Sequence, residues 1–395
     1  MLDTFWLIVI LYIVALSLYF SKKINYKNYK IKKLTKKINT DNLFLSLGTK
    51  MGVGTLIGTT MSIYIGGPSS ILWIIIFTFL TSSLIYAEST LGYKYKQKNG
   101  NSFISGIYFY TKYGLKKNKL AFFMLILFLS TYSFFFLMIQ ANTISSVLNI
   151  NKIILITIFL FFIIMIITND LTEIRKVLNK IVPVMCVFFL SISVYAILKN
   201  IKVIPYIIST IFKNALNLKS LFTGMIIGIK RSVFLNELLI GTSSMSSGIN
   251  NEDTEIIANT LILGSYFVII ISTLISLLLL IYIYNTQSNP TNYMNLLIET
   301  FTYHFNTYGN YFLCLLICLL GTSSIISGIY IGKSNITCLF NNKTINSIFN
   351  ILIFIFTIVS LLLKIDLIWK LVDVLLLILI TLNSLIITKL KSSVF

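Results

Sequence analysis

The sequence predicts an all-α integral membrane protein of about 11 transmembrane helices, ten in two sets of five with opposite orientation and one extra at the N-terminus. Three observations lead there. Apolar residues make up 56% of the 395 and charged residues 11%. The apolar runs reach the roughly 20 residues that a helix needs to cross a hydrocarbon core of about 30 Å. Two of those runs are interrupted by glycines at equivalent places, at Gly48-Thr-Lys-Met-Gly-Val-Gly-Thr55 and between Gly228 and Gly248. Backbone is exposed inside a membrane only where protein buries it or a polar cavity takes it, and paired interrupted helices point to the midplane site of a secondary carrier.

The spans lie near residues 3–20, 43–66, 69–90, 119–147, 151–169, 177–198, 219–243, 254–284, 309–332, 345–364 and 366–388. Short alternating strands, the signature of a β-barrel, do not occur. The first span starts at residue 3 and has no small-residue cleavage site, so it reads as a retained helix. Residues 1–40 form this extra helix and a basic loop, 41–200 the first five-helix repeat and 201–395 the second. Five helices per set invert the second set relative to the first, as an inverted repeat requires; the halves show no visible sequence identity, so the division rests on breaks and counts. Ile204–Leu216 and Tyr293–Phe305 are amphipathic and fit an interfacial position.

The net charge of +20 does not indicate nucleic acid, because the basic residues sit in loops between spans. Eight lysines fall between Lys22 and Lys37 and seven between Lys94 and Lys119, followed by Arg175, Lys176 and Lys180, then Lys333 and Lys343, then Lys389 and Lys391. Eleven spans place all of these on one side, and short Lys/Arg-rich loops stay cytoplasmic. The N-terminus is then outside and the C-terminus inside, in a multi-pass protein of a bacterial cell membrane. Lys199, Lys202, Lys213 and Lys219 on an external segment, and the acidic internal loop at Asn250–Glu255, run against the rule. The Lys22–Lys37 run reads as a topology and lipid-headgroup anchor, with a regulatory role as the alternative. Cys186, Cys314, Cys318 and Cys338 lie in or beside spans, and the single histidine, His304, cannot complete a metal set with them. Buried neutral thiols are the expectation.

At the first break, Gly52 and Gly54 relax the backbone. Amides of Val53, Gly54 and Thr55, at the start of the resumed half-helix, suit an anion such as a substrate carboxylate. Carbonyls near Gly48 and Met51 face the other way and suit a small cation. The alternative is that the glycines only let helices pack closely. Thr322-Ser323-Ser324 offers the oxygen ligands that sodium prefers, unless each hydroxyl bonds back to its own helix. Ionisable groups inside spans are costly and usually functional, which singles out Lys230, Arg231 and Glu237 as a gate or internal ion pair, with Asn236 adding donors and an acceptor. Gln140 and Asn142 are placed to face a cavity. Asp373 and Asp170 read as structural or interfacial, and Asp170 with Glu173 and Arg175 as a cytoplasmic helix start.

An ordered series of these stretches resembles the sodium:alanine symporter family from about residue 42 to 385. Gly48–Thr55 is similar to the family's GTRVGTGN, followed by Gly66-Gly-Pro-Ser, Leu72-Trp73, Ala87-Glu88 and Gly92-Tyr-Lys-Tyr-Lys96. Gln140-Ala-Asn-Thr143 resembles QANS, and Ile181-Val-Pro-Val-Met185 resembles IVPFM. Gly228-Ile-Lys-Arg-Ser-Val-Phe-Leu-Asn-Glu237 with Gly241-Thr-Ser243 resembles GVKRGLFSNEAGMGSA; Ser323-Ser-Ile-Ile326, Tyr330, Gly332, Trp369, Asp373 and Asn383 continue the order. The resemblance implies a leucine-transporter-type five-plus-five inverted repeat in which sodium drives uptake of a small neutral amino acid. Substrate would lie against the Val53 and Gly54 amides near Gln140, and sodium among the Gly48 and Met51 carbonyls and the Ser323 and Ser324 hydroxyls. Three departures bear on specificity. Thr55 replaces an Asn, Leu235, Leu238 and Leu239 replace smaller residues, and Gly328 stands where the family's tryptophan is expected.

The reading is therefore a sodium-coupled amino-acid symporter (alanine, glycine or similar) working by alternating access, as a monomer in contact with membrane lipid and without nucleic acid or organic cofactor. No nucleotide-binding loop appears. A proton-coupled carrier using Glu237 or Lys180 and a non-transporting sensor of the same fold are the alternatives. An intramembrane enzyme lacks its nucleophile–base pair or metal set.

Overall fold

The computed structural model describes residues 2–24, 38, 40–99, 102–148, 150–169, 171–248, 253–340 and 342–395. Most of the Lys22–Lys37 run, Asp170 and residues 250–252 of the 250–255 loop lie outside the described residues. The described chain is almost wholly helical: α1 Leu2–Lys23, α2 Thr40–Lys50, α3 Val53–Gly66, α4 Ser70–Lys94, α5 Asn118–Leu148, α6 Lys152–Thr168, α7 Leu171–Lys199, α8 Ile204–Leu216, α9 Leu218–Leu235, α10 Thr242–Ser247, α11 Thr254–Thr286, α12 Tyr293–Phe305, α13 Gly309–Phe340, α14 Lys343–Leu362 and α15 Ile365–Lys389. A two-stranded hairpin, Gln97–Asn99 with Ser102–Ile104, follows α4.

Among the described residues eight helices are long and apolar enough to cross a membrane. The three remaining expected spans are the two interrupted ones, α2–α3 and α9–α10, and α6, whose 17 residues are apolar but short. The amphipathic segments at 204–216 and 293–305 form α8 and α12 with the expected limits.

Burial follows helix periodicity. In α1, Trp6, Ile10, Ile13, Ser17 and Phe20 form one buried stripe, while Phe5, Ile8, Leu11 and Leu18 face outward. That stripe packs on α4 and α15, where the Ser17 hydroxyl reaches the Leu80 carbonyl and the Ser83 hydroxyl. The extra helix therefore flanks the bundle. The centre is α4, packed against α9, α10 and α11, with the two interrupted helices beside it.

Close approach at the centre depends on glycine. A Cβ on Gly92 would run into the backbone of Ser244 and the Ser247 hydroxyl, so α10 lies directly on α4. Gly92→Val is expected to destabilise the protein by about 1–3 kcal/mol, the usual range for overpacking, measured as a lower midpoint of thermal unfolding in detergent. Gly228 also serves packing, since a Cβ there would meet the Ser70 carbonyl oxygen and Trp73. Within the Gly228–Gly248 stretch the break falls at residues 236–241.

Candidate functional site

The first break is two residues long. α2 ends at Lys50, Met51 and Gly52 are non-helical, and α3 resumes at Val53. Unwinding leaves polar backbone to satisfy, and side chains from three directions do so. The Val53 N–H donates to Gln140 Oε1 of α5 at 2.9 Å. The Thr55 hydroxyl donates to the Lys50 carbonyl at 2.5 Å, and the Thr55 N–H to Gly52 O at 3.0 Å. Ser324 Oγ of α13 donates to the Gly48 carbonyl at 3.2 Å. A Cβ on Gly52 would strike Ser324 Oγ and come within 2.8 Å of Gln140 Nε2; one on Gly54 would overlap the Phe234 ring. Gly48, Gly52, Val53, Gly54, Thr55, Gln140 and Ser324 thus converge on one point.

Ser323, the other hydroxyl expected to hold a cation, is placed differently. Ser323 Oγ donates back to the Leu320 carbonyl at 2.9 Å and lies 3.4 Å from Met185 Sδ of α7. Thr322 bonds back to Cys318 O at 2.7 Å, and Ser327 to Ser323 O at 2.8 Å. Only Ser324 leaves its own helix for the break. The Met51 side chain is buried against Cys186, whose thiol is 3.7 Å from its sulfur. Cys186 is buried as expected and Cys314 and Cys318 are only half-buried; all three are free thiols, and the Cys338 side chain lies outside the described residues.

The second break is sharper. Glu237, Leu239 and Gly241 have φ of 51°, 58° and 114°, left-handed conformations that two residues with a Cβ hold only because surrounding structure imposes them. The Leu239 carbonyl freed by the turn accepts from Asn383 Nδ2 of α15 at 2.8 Å, and Asn383 Oδ1 accepts from the Tyr110 hydroxyl at 2.5 Å. Asn236 turns toward α4: its Nδ2 donates to Thr78 Oγ1 at 2.7 Å and to Ser232 O at 2.9 Å, while its Oδ1 is buried without a partner. Leu235, Leu238 and Leu239 are fully buried beside it. Asn142 does not face a cavity; it ties α5 to the end of α14 by donating to Ser360 O and Leu363 O.

A plug of aromatic and charged groups covers the first break. Phe234 lies over Gly54, with Phe136 at 4.7 Å and Trp369 at 4.8 Å between ring centroids. The Arg231 guanidinium sits 4.7 Å above the Trp369 ring and donates from Nη2 to Asp373 Oδ2 at 2.8 Å. Arg231 is therefore paired with Asp373 and not with Glu237, the partner expected for the gate or internal ion pair. Lys230 points away to the Trp6 ring, 5.7 Å from its centroid.

Glu237 belongs to a separate buried group. Its carboxylate is surrounded by the Thr49, Tyr132 and Thr242 side chains. Lys50 lies close enough to act electrostatically on both Glu237 and Glu88, and its Nζ donates to Ser265 Oγ at 2.8 Å and Leu261 O at 3.3 Å. Glu88 approaches the backbone of Gly241 and Ser244 at the start of α10. All three side chains are buried, and no carboxylate oxygen of either glutamate completes a hydrogen bond. Sequence reasoning named Lys50 and Glu88 only as parts of motifs. The rule that singled out Glu237, an ionisable group within an apolar span, applies equally to them.

Opposite the break, α5 carries a π-helical stretch, Ser130–Phe136, a deformation frequent at functional sites. It faces Gly328 of α13. Ser133 Oγ donates to Gly328 O at 3.4 Å, and a Cβ on Gly328 would meet nothing nearer than the Tyr132 carbonyl at 4.0 Å. Space is thus open where the resemblance leads one to expect tryptophan.

In fold, the chain is similar to the solved structure of MhsT in complex with L-phenylalanine, with a TM-score of 0.67, 12% identity and 90% of each chain covered. This is the leucine-transporter-type architecture. In sequence it is 23% identical over 362 residues to the "Amino-acid carrier protein AlsT" of Bacillus subtilis (strain 168), covering 88% of this chain and 77% of that protein. It is 24% identical over 372 residues to the "Probable sodium/glutamine symporter GlnT" of the same organism, covering 89% and 76%. The sodium:alanine symporter family matches residues 3–395, first helix included. This multi-pass membrane transport protein belongs to the sodium:alanine symporter family.

Proposed function

We propose that the protein couples sodium entry to uptake of a small neutral amino acid by alternating access, residues 41–200 and 201–395 being the two repeats. The observation that carries this is the meeting of Ser324 Oγ and the Gly48 carbonyl, 3.2 Å apart, beside a glycine step closed in by Gln140 and Ser324. A hard cation takes such hydroxyl and carbonyl oxygens, and the amides that follow suit a carboxylate. With the N-terminus outside, α2 lies on the cytoplasmic side and α3 on the outer side, and the Arg231–Asp373–Trp369–Phe234 plug is an outer gate in its closed state. The Val53 N–H, held by Gln140 in this conformation, becomes available to substrate when Gln140 turns to it. The gap at Gly328 admits a side chain larger than that of alanine.

Uptake of radiolabelled alanine, glycine, serine and glutamine into proteoliposomes tests this, with an inward sodium gradient against potassium. Sodium-dependent uptake of one of them is expected. Ser324→Ala is expected to raise the sodium concentration for half-maximal uptake roughly tenfold, the loss of one ligand contributing about 1.4 kcal/mol, and Ser323→Ala to change it much less. Equal effects, or none, contradict this cation site. The sensor alternative predicts binding without flux of any of the four.

A second reading has its own support. Two buried carboxylates, Glu88 and Glu237, face one buried ammonium, Lys50, which leaves the group one positive charge short of neutrality. Charge in a low dielectric demands compensation, and a bound proton supplies it. Uptake that follows a proton gradient without sodium, and is lost in Glu237→Gln, favours this reading over sodium coupling.

A further inference from the structure

A second cavity lies away from the breaks, where the end of α7 meets α12. It has a volume of ≈ 480 Å³, and Ser191, Tyr195, Lys199, His304, Phe305 and Phe312 are among its walls. The floor is the buried His304. Its Nε2 lies 3.0 Å from the Leu278 carbonyl oxygen and donates to it, so a neutral ring presents the Nδ1 lone pair. Nδ1 is buried and has no partner. Lys199, the last residue of α7, is near enough to act electrostatically on His304, and among the described residues it makes no ion pair or hydrogen bond. An occupant that carries an anion complements Lys199, and one that also carries a hydroxyl or N–H donor offers His304 the partner it lacks.

Tyr195, Phe305, Tyr308 and Phe312 make the aromatic part of the wall. Tyr195 stacks on Phe305 at 6.2 Å between centroids, and Phe305 meets Phe312 edge-on at 5.2 Å. Val184, Val187, Ser191, Tyr195 and Leu198 recur at three- and four-residue spacing and are all exposed, so one stripe of α7 runs from the apolar middle of the helix into the mouth of the cavity. The polar end of that track is the helix terminus, where tyrosine and lysine sit at headgroup level.

We propose that this cavity binds a phospholipid whose anionic headgroup carries hydroxyls. A phosphodiester oxygen accepts from Lys199, a headgroup hydroxyl donates to His304 Nδ1, and an acyl chain follows the α7 stripe. A free zwitterionic amino acid satisfies the two polar groups but leaves the stripe without a partner.

The test uses the purified full chain in detergent, with native mass spectrometry and thermal unfolding in the presence of phosphatidylglycerol, phosphatidic acid, phosphatidylcholine, glycerol 3-phosphate or alanine. Phosphatidylglycerol is expected to remain bound and to stabilise best. Lys199→Ala should weaken its binding about fivefold, the effect of one lysine at a headgroup, and Lys199→Arg should restore it. His304→Gln should reduce the preference for phosphatidylglycerol over phosphatidic acid, which lacks the headgroup hydroxyls. The proposal fails if Lys199→Ala and His304→Gln bind phosphatidylglycerol as the parent does. It fails equally if phosphatidylcholine is retained as well, or if glycerol 3-phosphate or alanine stabilises as strongly as the lipid.

Discussion

Gly52→Ala is expected to cut transport by roughly tenfold to a hundredfold while leaving a folded, membrane-inserted protein. The added Cβ falls on Ser324 Oγ and within 2.8 Å of Gln140 Nε2. Neither side chain can retreat without giving up its own bond, Ser324 to the Gly48 carbonyl or Gln140 to the Val53 N–H. Overpacking of this kind costs about 1–3 kcal/mol, which a bundle with so large a buried core tolerates. The same displacement applied to the proposed cation and substrate positions is expected to reduce uptake by roughly tenfold to a hundredfold, since each 1.4 kcal/mol is a factor of ten. Uptake assays paired with thermal unfolding separate the two effects. Near-parental uptake by Gly52→Ala would place the substrate elsewhere. Gly67, where a Cβ meets nothing within 4 Å, does not make such a contact and marks only the turn after α3.

The second large effect is expected at the ion pair between α9 and α15. The Arg231 and Asp373 side chains are 6% and 17% exposed, so neither charge is well hydrated, and the guanidinium also lies on Trp369. Removing one partner of a buried pair costs about 3–5 kcal/mol, because the other charge is left uncompensated, whereas replacing both with apolar groups is often neutral. Arg231→Met and Asp373→Leu are each expected to lower the unfolding midpoint by several degrees and to stop uptake. The double variant is expected to recover most of the stability without recovering uptake, because the proposed outer gate over Phe234 and Gly54 would no longer close by charge. Single variants as stable as the parent would show the pair to be incidental, and a double variant that transports would remove it from the gate.

How much of this was legible differs from residue to residue. The first break was readable because Gly52 and Gly54 interrupt an apolar run, although both glycines are held there by close packing, against Ser324 and Phe234. The second was bracketed only broadly, between Gly228 and Gly248. Gly228 serves helix packing against Ser70, while the turn itself falls on Glu237, Leu239 and Gly241. Nothing in the letters Glu or Leu announces a left-handed backbone; the surrounding contacts, among them Asn383 on the Leu239 carbonyl, impose it. Ser323 and Ser324 look equivalent in sequence, yet one back-bonds and the other crosses to Gly48, because adjacent helical positions point about 100° apart. Asp373 was set aside for the same reason: a residue's depth in a span can be counted, but not the helix it faces.

Membership in a many-helix membrane fold follows from the sequence alone, because the bilayer acts on each segment separately. Every span must be apolar and must satisfy its own backbone, so lengths, breaks, interfacial helices and loop charges are written locally. The pairing of Arg231 with Asp373, the buried Lys50–Glu88–Glu237 group and the closing of Gln140 and Ser324 on Gly52 were decided only by tertiary structure. Each joins residues from different helices, and their energy depends on a distance that no single helix contains.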